Sequence, residues 1–182
     1  HVSDSDAVRS AIGQGTNSYT PVQLSRYVST ISNGGTCYDL TLVDKVADPS
    51  KDNKIQNNKA NVRNELDVKS STMDAIRKGM YMVVNSGSLK TVFQKVPVKV
   101  AGKTGTAQIS ANEPNHALFV SYAPYQSPKI SVTVVIPNAF TSSNAASLAS
   151  NIYQYYFDKK ARKNLLKKSA TSPVSNSGRV AD

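Results

Sequence analysis

The chain has 182 residues, 39% of them apolar, which is enough for one domain with its own core. Its formal charge of +10 raises nucleic acid, an anionic membrane surface or an acidic polymer as partners. No run approaches the about 18 consecutive apolar residues of a membrane span. One cysteine excludes an intrachain disulfide, and with only two histidines a zinc site would need an unusual set of carboxylates, so no metal and no cofactor is expected.

The chain begins at His1 and carries no signal-peptide pattern, so it is expected to be processed, excised or partial, with any anchor or export signal upstream. Residues 1–19 are polar, and Gly13-Gln14-Gly15 marks a turn or loop whose part is structural rather than catalytic, since glycine's usual use is conformational. The first predicted helix starts at Thr20 as N-cap, with Pro21 at the first helical position and Gln23 completing a capping box. Leu24, Tyr27, Val28 and Ile31 form its apolar stripe, and Asn33-Gly34-Gly35 ends it. Residues 38–47 suggest a short strand or extended segment, and 48–66, rich in Asn, Lys and Asp, a surface loop or hairpin.

A second helix fits 71–85, with Ser71 and Asp74 as a capping pair. Met73, Ile76, Met80, Val83 and Val84 keep helical spacing, and Met73, Met80 and Met82 are expected as core filler. Strand signals follow at 95–109, 116–123 and 129–136, and their short links argue for an antiparallel meander. Pro97 near the start of the first is tolerated best on a sheet edge, and an exposed edge can accept an extended peptide. His116 opens the second strand with no acid or nucleophile nearby in sequence and is expected to be structural.

The last predicted helix spans 143–160, with Leu148, Ile152, Tyr155 and Tyr156 on one stripe. The basic run after Asp158 is expected to be a solvated helix end, since cations are favoured there and the basic and aromatic interleaving of a nucleic-acid platform is missing. No nucleic-acid partner is therefore expected. Residues 169–182 have a disordered composition.

The most informative segment is Lys103-Thr104-Gly105-Thr106, set between strand formers. The lysine supplies a point charge, the hydroxyls short hydrogen bonds, and the glycine lets a substrate backbone lie against the strand. Together these make a carboxylate-binding edge. Gly102-Lys103-Thr104 also matches the end of a phosphate-binding P-loop, but that motif needs a glycine where Pro97 stands and must open a helix. In a flat strand Lys103 and Gly105 face opposite to Thr104 and Thr106, so all four line one groove only on an edge strand that is twisted or bent.

Five segments occur in order: Ala11-Ile12-Gly13-Gln14-Gly15, Thr20-Pro21-Val22-Gln23-Leu24, Ser32-Asn33-Gly34-Gly35, Ala101 to Gln108, and Phe119 to Pro124. Together they resemble the C-terminal part of the transpeptidase domain of a class B penicillin-binding protein, nearest the elongation (rod-shape) type, over about residues 7–160. The resemblance implies an α+β fold, an antiparallel sheet flanked by helices as in the serine β-lactamase/transpeptidase fold, here partial. Residues 1–164 would be the transpeptidase portion and 165–182 a flexible basic tail. It implies serine acyl transfer between peptidoglycan stem peptides, acylation by β-lactams, and an extracytoplasmic position on a bacterial membrane. The partners implied are the stem peptide, the β-lactam, the N-terminal part of the same protein and cell-wall elongation proteins. By the same resemblance Lys103 is catalytic, tuning a serine/lysine network. Thr104 and Thr106 hold the donor carboxylate, Gly105 keeps the edge open, and the Thr106 N–H is half of an oxyanion hole.

The family's other two motifs should precede Lys-Thr-Gly. No Ser-x-x-Lys occurs in the chain, and Ser-x-Asn occurs only at Ser110-Ala111-Asn112 and Ser142-Ser143-Asn144, both on the wrong side; the second suits a helix N-terminus. The nucleophile is therefore expected outside these residues, and the chain alone is expected to be inactive and unstable or partnered. The alternatives are a non-catalytic penicillin-binding or sensor domain, a class D-like serine β-lactamase, or a basic polymer-binding module.

Overall fold

The computed structural model describes residues 3–11, 13–15, 18–48, 54–108 and 112–167. The chain opens with a helix, α1 (Asp4–Ala11), where only a polar loop is expected from sequence. Ser3 caps it, accepting from the Asp6 N–H at 3.2 Å and donating to the Asp6 carboxylate at 2.8 Å. None of its residues is buried, so no apolar stripe announces it.

The helix α2 (Pro21–Ser32) forms as its cap predicts. Thr20 Oγ1 accepts from the Gln23 N–H, and the Thr20 N–H donates to Gln23 Oε1 at 2.8 Å. Its buried face holds Val28, Thr30, Ile31 and Ser32, while Tyr27 of the expected stripe is exposed. Two antiparallel ribbons follow, one nested in the other. The strands β1 (Thr36–Tyr38) and β4 (Val62–Glu65) pair, and between them β2 (Lys45–Asp48) pairs with β3 (Lys54–Asn57). The loop or hairpin expected over 48–66 instead holds β3 and β4, each of which pairs with a strand that begins before residue 48.

The helix α3 (Ser70–Asn85) starts one residue before its expected position, after Lys69, and no side chain caps it. The expected Ser71–Asp74 capping pair therefore does not form. Met73, Met80 and Val84 are buried, whereas Met82 and Ile76 are exposed, so two of the three methionines fill the core. Arg77 ties this helix to the sheet, donating from Nε to the Tyr122 hydroxyl and from Nη2 to the Tyr125 carbonyl, each at 3.3 Å.

The strands β5 (Ala101–Ala107), β6 (His116–Ala123) and β7 (Ile130–Ile136) form the expected meander, in the order β5-β6-β7. The first is shorter than predicted. Residues 95–100 lead into it without joining it, and Val96 and Val100 go into the core instead, so Pro97 is no strand residue. Ile109 and the Ser110-Ala111 pair lie outside the described residues. His116 plays a structural part, its Nδ1 accepting from the Asn138 N–H at 3.3 Å.

Helices cover both faces of this sheet. On one, Val28 and Ile31 of α2 and Met73 and Met80 of α3 pack with Ala101 and Tyr122. On the other lies α4 (Ser142–Phe157), through Ala145, Ala146, Ala149 and Tyr153 against Phe119, Val132 and Val134. This differs from the expected stripe. Leu148, Tyr155 and Tyr156 are exposed, because small residues let the helix axis approach the sheet closely. Thr141 caps α4, as the Ser142-Ser143-Asn144 signal suggests. The helix stops at Phe157, and the Asp158 carboxylate then caps a separate α5 (Lys159–Lys167), accepting from the N–H groups of Lys160 and Ala161 at 2.8 and 3.1 Å. The expected boundary at 164 falls inside α5, and residues 168–182 lie outside the described residues.

Tyr153 also links the layers by hydrogen bonds. Its hydroxyl donates to Ser121 Oγ at 2.9 Å, and Ser121 donates to the Val132 carbonyl at 3.2 Å. Burial pushes the Tyr153 phenol well above its usual pKa, so it stays a neutral donor.

The tightest packing constraint falls on Gly102. A Cβ there would lie 2.5 Å from Phe119 Cζ and 2.9 Å from Ser121 Cβ. Gly102→Ala should therefore lower the unfolding free energy by about 1–3 kcal/mol, the usual cost of overpacking. Phe119→Leu in the same background should recover part of that loss, measured by the urea midpoint.

Candidate active site

β5 is an edge strand of its sheet among the described residues. Its register with β6 runs without a shift from Ala101↔Tyr122 to Ala107↔His116. Directly opposed residues share a face. Lys103 and Gly105 therefore lie on the face of Val120 and Leu118, and Thr104 and Thr106 on that of Phe119 and Ala117. The side chains divide as an unbent strand requires, and no bulge gathers them.

The backbone does gather on one line. In an antiparallel strand, each residue turns its N–H and C=O to the same side, alternating between neighbour and open edge. Three carbonyls of β5 and its lead-in are met by side chains from the open side. The Val100 carbonyl accepts from Asn85 Nδ2 at 2.8 Å. The Thr104 carbonyl accepts from Lys103 Nζ at 2.9 Å, and the Thr106 carbonyl from Gln14 Nε2 at 3.2 Å. All three are even-numbered positions, so Thr104 and Thr106 aim their backbone groups outward, while Lys103 and Gly105 aim theirs at β6. Of the predicted site residues, Thr104 and Thr106 turn their backbone groups to the open edge and the Lys103 ammonium curls back to it, whereas Gly105 turns its backbone to β6.

Gly105 differs from Gly102. A Cβ at 105 would meet only Leu118 Cβ, at 3.4 Å, an ordinary contact. Packing therefore does not demand glycine there. Beyond Thr106 the edge opens into a cleft of about 560 Å³ lined by Asp6, Arg9, Gln14, Gly15 and Gln108. Among the described residues no group of three or more His, Cys, Asp or Glu side chains is arranged to hold a metal ion.

Two residues of this edge were not singled out as site residues from sequence. Asn85 closes α3 and donates to Tyr81 O as well as to Val100 O, joining helix and strand. Gln14 is separated from Thr106 by 92 positions; its only local signal is a carboxamide framed by two glycines.

The family model of the penicillin-binding protein transpeptidase domain matches residues 2–154. The chain is 32% identical over 176 residues to the peptidoglycan D,D-transpeptidase MrdA of Haemophilus influenzae, covering 85% of this chain and 26% of that protein. It is 31% identical over 170 residues to penicillin-binding protein 2A of Bacillus subtilis, covering 84% and 24%. The chain thus spans about a quarter of the length of these relatives. Among solved structures, penicillin-binding protein 2B of Streptococcus pneumoniae superposes with a TM-score of 0.75 at 28% identity, over 87% of this chain and 28% of that one. The imipenem acyl-enzyme of penicillin-binding protein A from M. tuberculosis does so with a TM-score of 0.67 at 26% identity, over 78% and 32%.

The Asn85 bridge can be tested directly. Asn85→Ala leaves two carbonyls without this donor and should cost about 1–3 kcal/mol of stability. Asn85→Asp puts an acceptor-only carboxylate against the same carbonyls and should cost more, read from denaturant midpoints.

Proposed function

The chain belongs to the penicillin-binding protein transpeptidase family, and from that membership we propose that it forms the substrate-edge portion of a peptidoglycan D,D-transpeptidase. One observation supports the assignment of roles: β5 presents an outward backbone row at Thr104 and Thr106, with the Lys103 ammonium beside it and a bare Gly105 between. An acyl donor lies along this edge. The terminal carboxylate of a stem peptide, or the carboxylate of a β-lactam, is held at Thr104 and Thr106 in the field of Lys103. The Thr106 N–H faces the edge, where it can bond the carbonyl oxygen as negative charge develops.

The attacking group comes from elsewhere in the polypeptide, since these 182 residues contain no Ser-x-x-Lys. A serine Oγ adds to the carbonyl of the D-Ala-D-Ala bond and the C–N bond breaks. The departing D-Ala amine takes up the proton, leaving an acyl-serine ester. An amine of a second stem peptide then displaces the serine, forming the cross-link and returning the proton to Oγ. With a β-lactam the broken bond is the ring amide, and the ester persists. Lys103 tunes the protonation of the serine/lysine network. Such work belongs at the extracytoplasmic face of a bacterial membrane, beside the cell-wall elongation machinery. Among the described residues no helix is long and apolar enough to cross a membrane.

Two outcomes test the assignment. The isolated chain, incubated with fluorescent penicillin and resolved on a denaturing gel, should carry no covalent label; stable labelling would overturn the placement of the nucleophile. In the longer polypeptide, Gly105→Ala should leave stability within about 0.5 kcal/mol, because the fold accepts a Cβ there. It should slow acylation by about tenfold or more, because the donor is displaced from the strand. Unchanged acylation would remove Gly105 from the site.

A further inference from the structure

The contact between Gln14 and Thr106 joins a turn near the start of the chain to the open edge of β5 across 92 positions. Gln14 lies in a turn framed by Gly13 and Gly15, both in the left-handed region at φ of 78° and 94°. A Cβ on Gly15 would crowd Arg9 Cβ at 3.3 Å, so the turn sits close against α1. That placement carries the Gln14 carboxamide to the edge of β5, where Nε2 donates to the Thr106 carbonyl at 3.2 Å in an exposed setting. A primary carboxamide is a near copy of a backbone amide. It has an N–H donor at the spacing a neighbouring strand would supply. The Thr106 carbonyl is also the outward acceptor that an extended ligand, added to this edge, would take with its own amide N–H.

We infer that Gln14 is a positioning residue that stands in for the amide N–H of the acyl donor at the Thr106 carbonyl, and that donors bearing an amide N–H at that point must displace it. The inference rests on the proposed transpeptidase function, since it requires an acyl donor along β5. Gln14 then acts on selectivity. For a donor with the amide N–H, one hydrogen bond is exchanged for another and little is gained. For a donor without it, Gln14 stays, and the carbonyl keeps its partner. The residue thus narrows the advantage of amide-bearing donors over those that lack the group.

The test uses the longer polypeptide containing this chain and two acylating agents. Benzylpenicillin carries an acylamino N–H next to its lactam carbonyl; imipenem has a hydroxyethyl group there. Second-order acylation constants are measured by competition with fluorescent penicillin for wild type, Gln14→Ala and Gln14→Met, the last keeping side-chain length without a donor. Removing the stand-in should raise the benzylpenicillin constant about two- to tenfold, the worth of one hydrogen bond no longer contested, with imipenem unchanged. A general loosening of the turn would move both constants together and leave their ratio flat. A flat or falling ratio in both variants would overturn the role of Gln14 while leaving the transpeptidase assignment intact. Failure of both agents to acylate wild type would instead overturn that assignment, and this inference with it.

Discussion

Tyr153 carries a hydroxyl into a largely apolar layer, and a buried hydroxyl without a partner would be costly. Ser121 accepts it and hands its own proton to the Val132 carbonyl. The relay fixes α4 at one depth over β6 and β7, and the alanines at 145, 146 and 149 make that depth short. With α4 close, Phe119 has its other free space beneath β5, and Gly102 is where the strand yields to it. The height of β5, and with it the line of its outward carbonyls, follows from a hydroxyl pair on the far side of the sheet.

The opposite face works by longer side chains. Arg77 spans from α3 to Tyr122 and Tyr125, with its guanidinium 5.9 Å from the Tyr125 ring centre. Ser29 of α2 meets Ser131 of β7 at 2.8 Å. Burial raises the Tyr122 phenol above its ordinary pKa despite the Arg77 hydrogen bond, so this clasp holds a neutral phenol. Both faces of the sheet thus combine apolar packing with buried or half-buried hydrogen bonds to the helices that cover them.

Much of this was legible locally. The capping box at Thr20 and Gln23 needs only four residues, and it formed as written. The meander followed from short links between apolar alternations. Lys103-Thr104-Gly105-Thr106 showed its charge, hydroxyls and missing side chain directly in the sequence. What was hidden depends on tertiary distance. The buried face of α4 differs from the stripe expected from sequence because hydrophobic patterning weights Leu148, Tyr155 and Tyr156, while close approach to a sheet selects alanine. Residues 95–100 looked like strand because Val96, Val98 and Val100 alternate, yet two of them enter the core as connectors. The division of Asp158 from the helix before it turned on a single carboxylate serving as a cap. Gln14 and Thr106 are 92 positions apart, and only the tertiary fold brings them together.

The side chains stationed along β5 have another consequence, for encounters between copies of the chain. A bare edge strand offers alternating acceptors to any passing strand, and proteins that leave such edges open tend to polymerise. Here Asn85, Lys103 and Gln14 already occupy the carbonyls of Val100, Thr104 and Thr106. A second copy seeking to extend the sheet would have to strip several contacts at once, whereas a short ligand need dislodge only one. The edge is thereby guarded against strand addition by another copy, through three side chains from separate parts of the chain.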